Sequence, residues 1–158
     1  MATNRTHIDA PPEVVFDVLC DAASYAIWVV GSKRIRGVDP DWPAVGSKFH
    51  HTVGFGPLAD SDTTIVLELQ RPTRMVLEAR VWPLGTAEVA FDLVPSKGGT
   101  DVTLEETPRR GPAKRLDNPV MDSAIWVRNA IGLRRLKAWS EQRFHATPGV
   151  PPEPPGTA

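Results

Sequence analysis

AIWVRNAIGLRRL, residues 124–136, is the stretch on which the fold turns. Its apolar side chains recur at helical spacing, and the pattern extends both ways. Asn118 can cap the helix, Pro119 suits its first turn, and the periodicity runs on to about Phe144. The spacing predicts one long helix over 120–143. At 3.6 residues per turn Met121, Ile125, Arg128, Gly132, Leu136 and Trp139 share a face, opposite Ser123, Arg134, Lys137 and Glu141. That face should be the buried one. Yet Arg128 and Gly132 sit in its middle, with Asn129 beside them. A glycine inside a helix costs roughly 1 kcal/mol against alanine, so something should approach the backbone closely there. The candidates are a ligand in a hollow and a bulky strand residue such as Phe91.

Working outward, the middle of the chain has period two. Phe49, His51, Val53 and Phe55 share one strand face, and so do Ile65, Leu67 and Leu69. The same alternation recurs in Met75, Leu77, Ala79 and Val81, in Ala87, Val89, Phe91 and Leu93, and in Val102, Leu104 and Glu106. Glu106 is the exception to the apolar rule. The connections GFGPLAD, QRPTR, WPLG and PSKGGTD hold the glycines and prolines of tight turns, which implies antiparallel neighbours. A strand at 33–38 and a first strand at 3–9 bring the total to about seven. Between those two, Pro12 marks a helix start with Val15, Val18, Leu19 and Ala22 on one face, and DAASYAIW continues as a second short helix that Gly31 stops.

The bounds agree with one domain. The chain has 158 residues, with 18 basic and 19 acidic side chains and a net charge of -1. That balance offers no footprint for nucleic acid or for an anionic membrane. The N-terminal residues lack the apolar core of a signal peptide, and no apolar run approaches a membrane span, so a soluble, cytoplasmic protein is expected. Cys20, the single cysteine, reads as a small core residue. No G-x-S-x-G, H-E-x-x-H, C-x-x-C or phosphate-loop motif occurs, and neither metal nor cofactor is expected. Residues 146–158 form a Pro-rich tail expected to be flexible, leaving 1–145 as the domain.

The element order is strand, two short helices, six strands and a long terminal helix, an α+β arrangement. IDAPPEVVFDVLCDAASYAIW, LQRPTRMVLEARVW, GGTDVTLEE and RNAIGLRRLKAWSE resemble the corresponding segments of the START-like helix-grip superfamily (SRPBCC). That superfamily includes polyketide cyclases and aromatases, lipid-transfer domains and birch-pollen-allergen-like proteins, and the likeness is to its bacterial polyketide cyclase-like members. It covers about residues 3–143. It implies a curved antiparallel sheet of about seven strands around the terminal helix, with a hollow between them as the largest recess. It implies no universal catalytic set.

On that fold, the residues expected to line the hollow from the strands are Phe49, His51, Val53, Leu67, Leu77, Val89, Phe91 and Leu104. From the helix they are Ile125, Arg128, Gly132 and Leu136. The expected partner is a small hydrophobic molecule: a lipid, a polyketide-like compound or another aromatic. The enzyme alternative is a polyketide cyclase or aromatase in which His51, Glu106 or Arg128 handles proton transfers. A third reading is an interaction protein with no bound ligand. His51 is either a satisfied core histidine or a polar anchor. Glu106 and Arg128 are either a structural ion pair or a ligand-binding pair. The basic run PRRGPAKR, 108–115, reads as a loop at the mouth of the hollow.

Overall fold

Strand β1 (Ala2–Ile8) opens the chain, and Pro11 and Pro12 then start helix α1 (Pro12–Cys20), where an absent backbone donor costs nothing. The structure, a computed structural model, describes residues 1–53, 60–81, 85–111 and 119–146. Helix α1 buries Val15, Phe16, Val18 and Leu19. The Asp21 carboxylate accepts from the Ala23 amide at 3.1 Å and caps a single 3₁₀ turn, Ala22–Ser24, which leads into helix α2 (Tyr25–Trp28).

Six strands follow: β2 (Ser32–Val38), β3 (Lys48–Val53), β4 (Asp60–Gln70), β5 (Arg74–Val81), β6 (Gly85–Ser96) and β7 (Gly99–Arg110). With β1 they make one antiparallel sheet in the order β1-β7-β6-β5-β4-β3-β2. Among the described links of the meander, those from β4 to β5 and from β6 to β7 are short turns. Lys97 and Gly98 take positive φ, 47° and 77°, between the paired Ser96 and Gly99, which matches the right-handed twist of the flanking strands. Pro108–Arg110, expected in a loop, prolong β7 instead. The rest of that basic run, 112–118, lies outside the described residues. So do the GFGP turn, the helix cap at 118 and the tail from 147 onward.

Helix α3 (Pro119–Ala146) lies against β1, α1 and α2 and closes the curved sheet, the helix-grip arrangement. Leu133 and Leu136 join Phe16, Phe49, Met75, Phe91 and Val102 in one core. The expected strand faces hold in β5, β6 and β7. They fail in β4, where a bulge between Val66 and Glu68 adds one residue. Before the bulge the inward residues are Asp62, Thr64 and Val66, and after it Leu69 turns to the core. Leu67 is the extra residue and is 43% exposed. Its expected place in the hollow is therefore wrong.

Two glycines separate tolerance from necessity. A Cβ at Gly99 would stand 2.2 Å from the Ile8 carbonyl oxygen and 3.2 Å from Asp9 Cα, backbone atoms that cannot swing aside. A Cβ at Gly132 would meet the Trp28 carbonyl oxygen at 3.6 Å, an ordinary contact. Gly99→Ala is expected to destabilise by about 1–3 kcal/mol. Gly132→Ala, which only relieves the helix of a flexible residue, is expected to stabilise by about 0.5–1 kcal/mol. Thermal melts of the two variants beside the parent check both signs.

Candidate functional site

Between α3 and the sheet lies a hollow of about 120 Å³. Leu77, Val89, Phe91 and Leu104 supply its sheet wall, and Gly132 lies on the helix side. Tyr25 and Trp28 of α2 close one end, two residues the sequence reading left out of the site. Their rings pack at 4.7 Å, and Trp28 meets Phe91 edge-on at 5.9 Å. Each points its polar atom away from the hollow: the Tyr25 hydroxyl donates to the Leu19 carbonyl at 2.7 Å, and Trp28 Nε1–H donates to Ser24 Oγ at 3.0 Å. The hollow thus receives aromatic surface without phenol or indole donors. A wider open groove of about 680 Å³ runs between β1 and α3 along Thr3, Arg5, Trp126 and Arg134, so the hollow is not the largest recess.

Several expected lining residues lie elsewhere. Phe49 is fully buried, its ring 4.8 Å from Tyr25, 4.9 Å from Trp42 and 5.1 Å from His51. It fills solid core behind the wall. Leu136 is likewise buried in core, one turn past Gly132, and Ile125 is half-buried without reaching the hollow. The side chain of Val53 lies outside the described residues. The close approach expected at Gly132 is absent: a Cβ there would meet only the Trp28 carbonyl oxygen, at ordinary contact distance, and not Phe91.

One wall is polar. Glu106 is buried at the point where β7 breaks its apolar alternation, and it accepts from Arg128 Nη2 and, at 2.9 Å, from Asn129 Nδ2. Arg128 Nη2 also reaches Asn129 Oδ1 at 3.3 Å. The three side chains brace one another, and all three border the hollow. Asn129 was missed as a site residue because the buried face of α3 is rotated toward it. Asn4 of β1 donates to the Trp126 carbonyl at 3.0 Å, on the flank where the helix leans on that strand.

His51 faces the hollow from β3 with Thr64 of β4. Its Nδ1 lies 3.3 Å from Ser32 Oγ and its Nε2 3.2 Å from Thr64 Oγ1, so both nitrogens have hydroxyl partners. Burial, with smaller contributions from the charges of His50 and Arg36, pushes its pKa from 6.5 down to about 4. A neutral imidazole so engaged is a poor general base near neutrality. Among the described residues no group of three His, Cys, Asp or Glu side chains could hold a metal ion.

Two outcomes follow from these environments. The unfolded chain protonates His51 near 6.5 while the folded chain resists until about 4. The unfolded state therefore binds more protons in that interval, and stability falls as pH drops through it, with no change from this group above it. Urea unfolding across that interval should show a shallower loss for His51→Gln. The ion pair gives an asymmetric result, because the Arg128 side chain is 37% exposed and that of Glu106 only 5%. Arg128→Met strands a buried carboxylate and should cost about 3 kcal/mol or more. Glu106→Gln leaves a guanidinium that can turn to water and should cost about 1 kcal/mol. Combining the two changes should recover part of the larger loss.

The fold has many solved relatives. A Chromobacterium violaceum protein, CV1439, superposes with a TM-score of 0.64 at 20% identity, covering 89% of this chain and 99% of its own. Staphylococcus aureus SA2116, described as a protein of unknown function, gives a TM-score of 0.71 at 10% identity over 91% and 94% of the two chains. The di-domain ARO/CYC StfQ from the steffimycin biosynthetic pathway gives a TM-score of 0.68 at 14% identity, covering 89% of this chain and 50% of its own. At these identities the likeness is one of fold. Comparison with curated protein sequences finds no match. The model of one family, polyketide cyclase / dehydrase and lipid transport, matches residues 2–141. That span takes in all seven strands and the buried face of α3, and it is on this ground that the chain belongs to that family.

Proposed function

We propose that this protein binds a small hydrophobic molecule in the hollow between the sheet and α3. The observation that carries the reading is the lining: a space of about 120 Å³ faced by apolar and aromatic surface, with the Tyr25 and Trp28 polar atoms turned away from it. An engineered apolar cavity of about 150 Å³ in another protein takes up benzene, so the mainly apolar part of this space has room for a small apolar group. The family's description, which joins polyketide cyclases and dehydrases with lipid transport, supports a cavity that receives apolar molecules.

The enzyme reading draws on the same description and on the ARO/CYC relative. It is second because the candidate proton carriers are engaged with protein partners. His51 is held neutral between two hydroxyls, and Glu106 is committed to Arg128 and Asn129. A proton relay needs a group free to give or take a proton at the reacting atom.

Val89 lies on the sheet wall at mid-strand, so Val89→Phe should fill the space with little strain. In ligand-observed NMR, toluene is expected to bind the parent protein and to lose its signal with Val89→Phe, while the melting temperature moves by only a few degrees. Equal toluene binding by parent and variant overturns the proposal. Native mass spectrometry of the purified protein offers an independent check by revealing any co-purified small molecule.

A further inference from the structure

The polar wall of the hollow carries both charges of one ion pair. Arg128 brings a guanidinium and Glu106 a carboxylate, and the two are in direct contact. The pair is therefore close to neutral as a unit. Arg128 spends Nη2 on Glu106 and Asn129. Among the described residues its Nη1 and Nε meet no acceptor in hydrogen-bond reach, so single N–H donors, not a two-pronged edge, remain for something else beside the hollow.

What those N–H groups donate to is decided by the surrounding charge. A ligand carboxylate on Arg128 would bring a second anion next to Glu106, against a single guanidinium and inside mostly apolar walls. Burying an uncompensated charge in such a place is costly. Asp62 is buried on the same β4 face as Thr64 but does not border the hollow, so Glu106 is the carboxylate that a ligand anion would face among the described residues. Arg80 at the rim is the other cation bordering the hollow, and it is exposed, where water and salt screen it. A neutral carbonyl oxygen avoids the penalty. It accepts from the free donors of Arg128 without adding charge, and the remainder of its molecule meets Tyr25, Trp28 and Phe91.

The size of the space sets how much of a ligand the hollow itself holds. About 120 Å³ is the scale of a single ring, judged against the cavity of about 150 Å³ that admits benzene.

Resting on the function proposed above, we infer that the ligand is a neutral, carbonyl-bearing molecule that places about one ring in the hollow, its oxygen on Arg128, and that Glu106 is the residue that rejects carboxylates. Glu106 is thus a specificity-determining residue with two effects. It holds the guanidinium in place, and it cancels the charge that would otherwise draw an acid into the hollow.

The test uses three probes of similar size: toluene, acetophenone and benzoate, titrated into the purified protein near neutral pH by ligand-observed NMR. The parent protein is expected to bind acetophenone several-fold tighter than toluene, and benzoate about tenfold or more weaker than acetophenone. Glu106→Gln should shift the benzoate-to-acetophenone ratio toward benzoate by about tenfold, because the guanidinium then lacks its compensating charge. Arg128→Met should bring acetophenone down to the level of toluene. Benzoate binding the parent as tightly as acetophenone overturns the inference, and so does an unchanged ratio in Glu106→Gln. If toluene binds and acetophenone gains nothing over it, this inference fails while the hollow remains a binding site. If none of the three binds, both readings fall together. Melting curves confirm that each variant is folded, and if Glu106→Gln does not fold, the ratio measured on the parent protein decides alone.

Discussion

A single helix cannot fill the concave side of a seven-stranded sheet. Strands spaced by about 4.8 Å make seven of them close to 30 Å across, while a helix with its side chains is about 10–12 Å wide. The remaining width must be covered by other elements or left empty. Here α1, the 3₁₀ turn and α2 cover much of it with Phe16, Leu19, Tyr25 and Trp28. Their reach ends at the Trp28 carbonyl, the group nearest to Gly132 of α3. Beyond that contact, among the described residues, the hollow is left between α3 and the sheet.

The polar wall answers to the same geometry. Glu106 stands at an inward position of β7 where the strand register demands a buried side chain, so its charge needs partners. Arg128 and Asn129 supply them from adjacent positions of α3. Adjacent residues of a helix diverge by about 100°, so both can converge on one carboxylate only at the border of the buried face. That is why Asn129 is buried while Arg128 keeps contact with water. The same border gives the guanidinium access to whatever enters the hollow.

Much of this was legible in the sequence, because alternation, glycine and proline punctuation and the long terminal stripe are all local signals. The sheet, its antiparallel sense and the position of α3 follow from them. The β4 bulge was not legible. Inserting Leu67 reverses the parity of that strand halfway along, and TTIVLEL reads as an unbroken alternation. Nor could alternation separate a wall from the solid core behind it. Phe49 and Leu136 do point inward, as read, but inward parity carries no information on depth, and Phe49 is absorbed in an aromatic cluster with Tyr25 and Trp42. Asn129 was lost for a related reason: the phase of a helix is known from sequence only to within a residue or so, and the lean toward β1 decides it.

The pairing of β1 with β7 has a consequence for how the chain reaches this state. Ala2 pairs with Glu106 and Ile8 with Thr100, so the first strand is completed by the last. The intervening meander can zip up hairpin by hairpin from local contacts, whereas this pairing must pay the entropy of closing a loop spanning most of the domain. During synthesis β1 emerges long before β7, its one sheet neighbour among the described residues. It is a short, mixed strand in which Asn4, Arg5, Thr6 and His7 interrupt any apolar run. That composition keeps an early strand with two open edges from recruiting other chains while it waits.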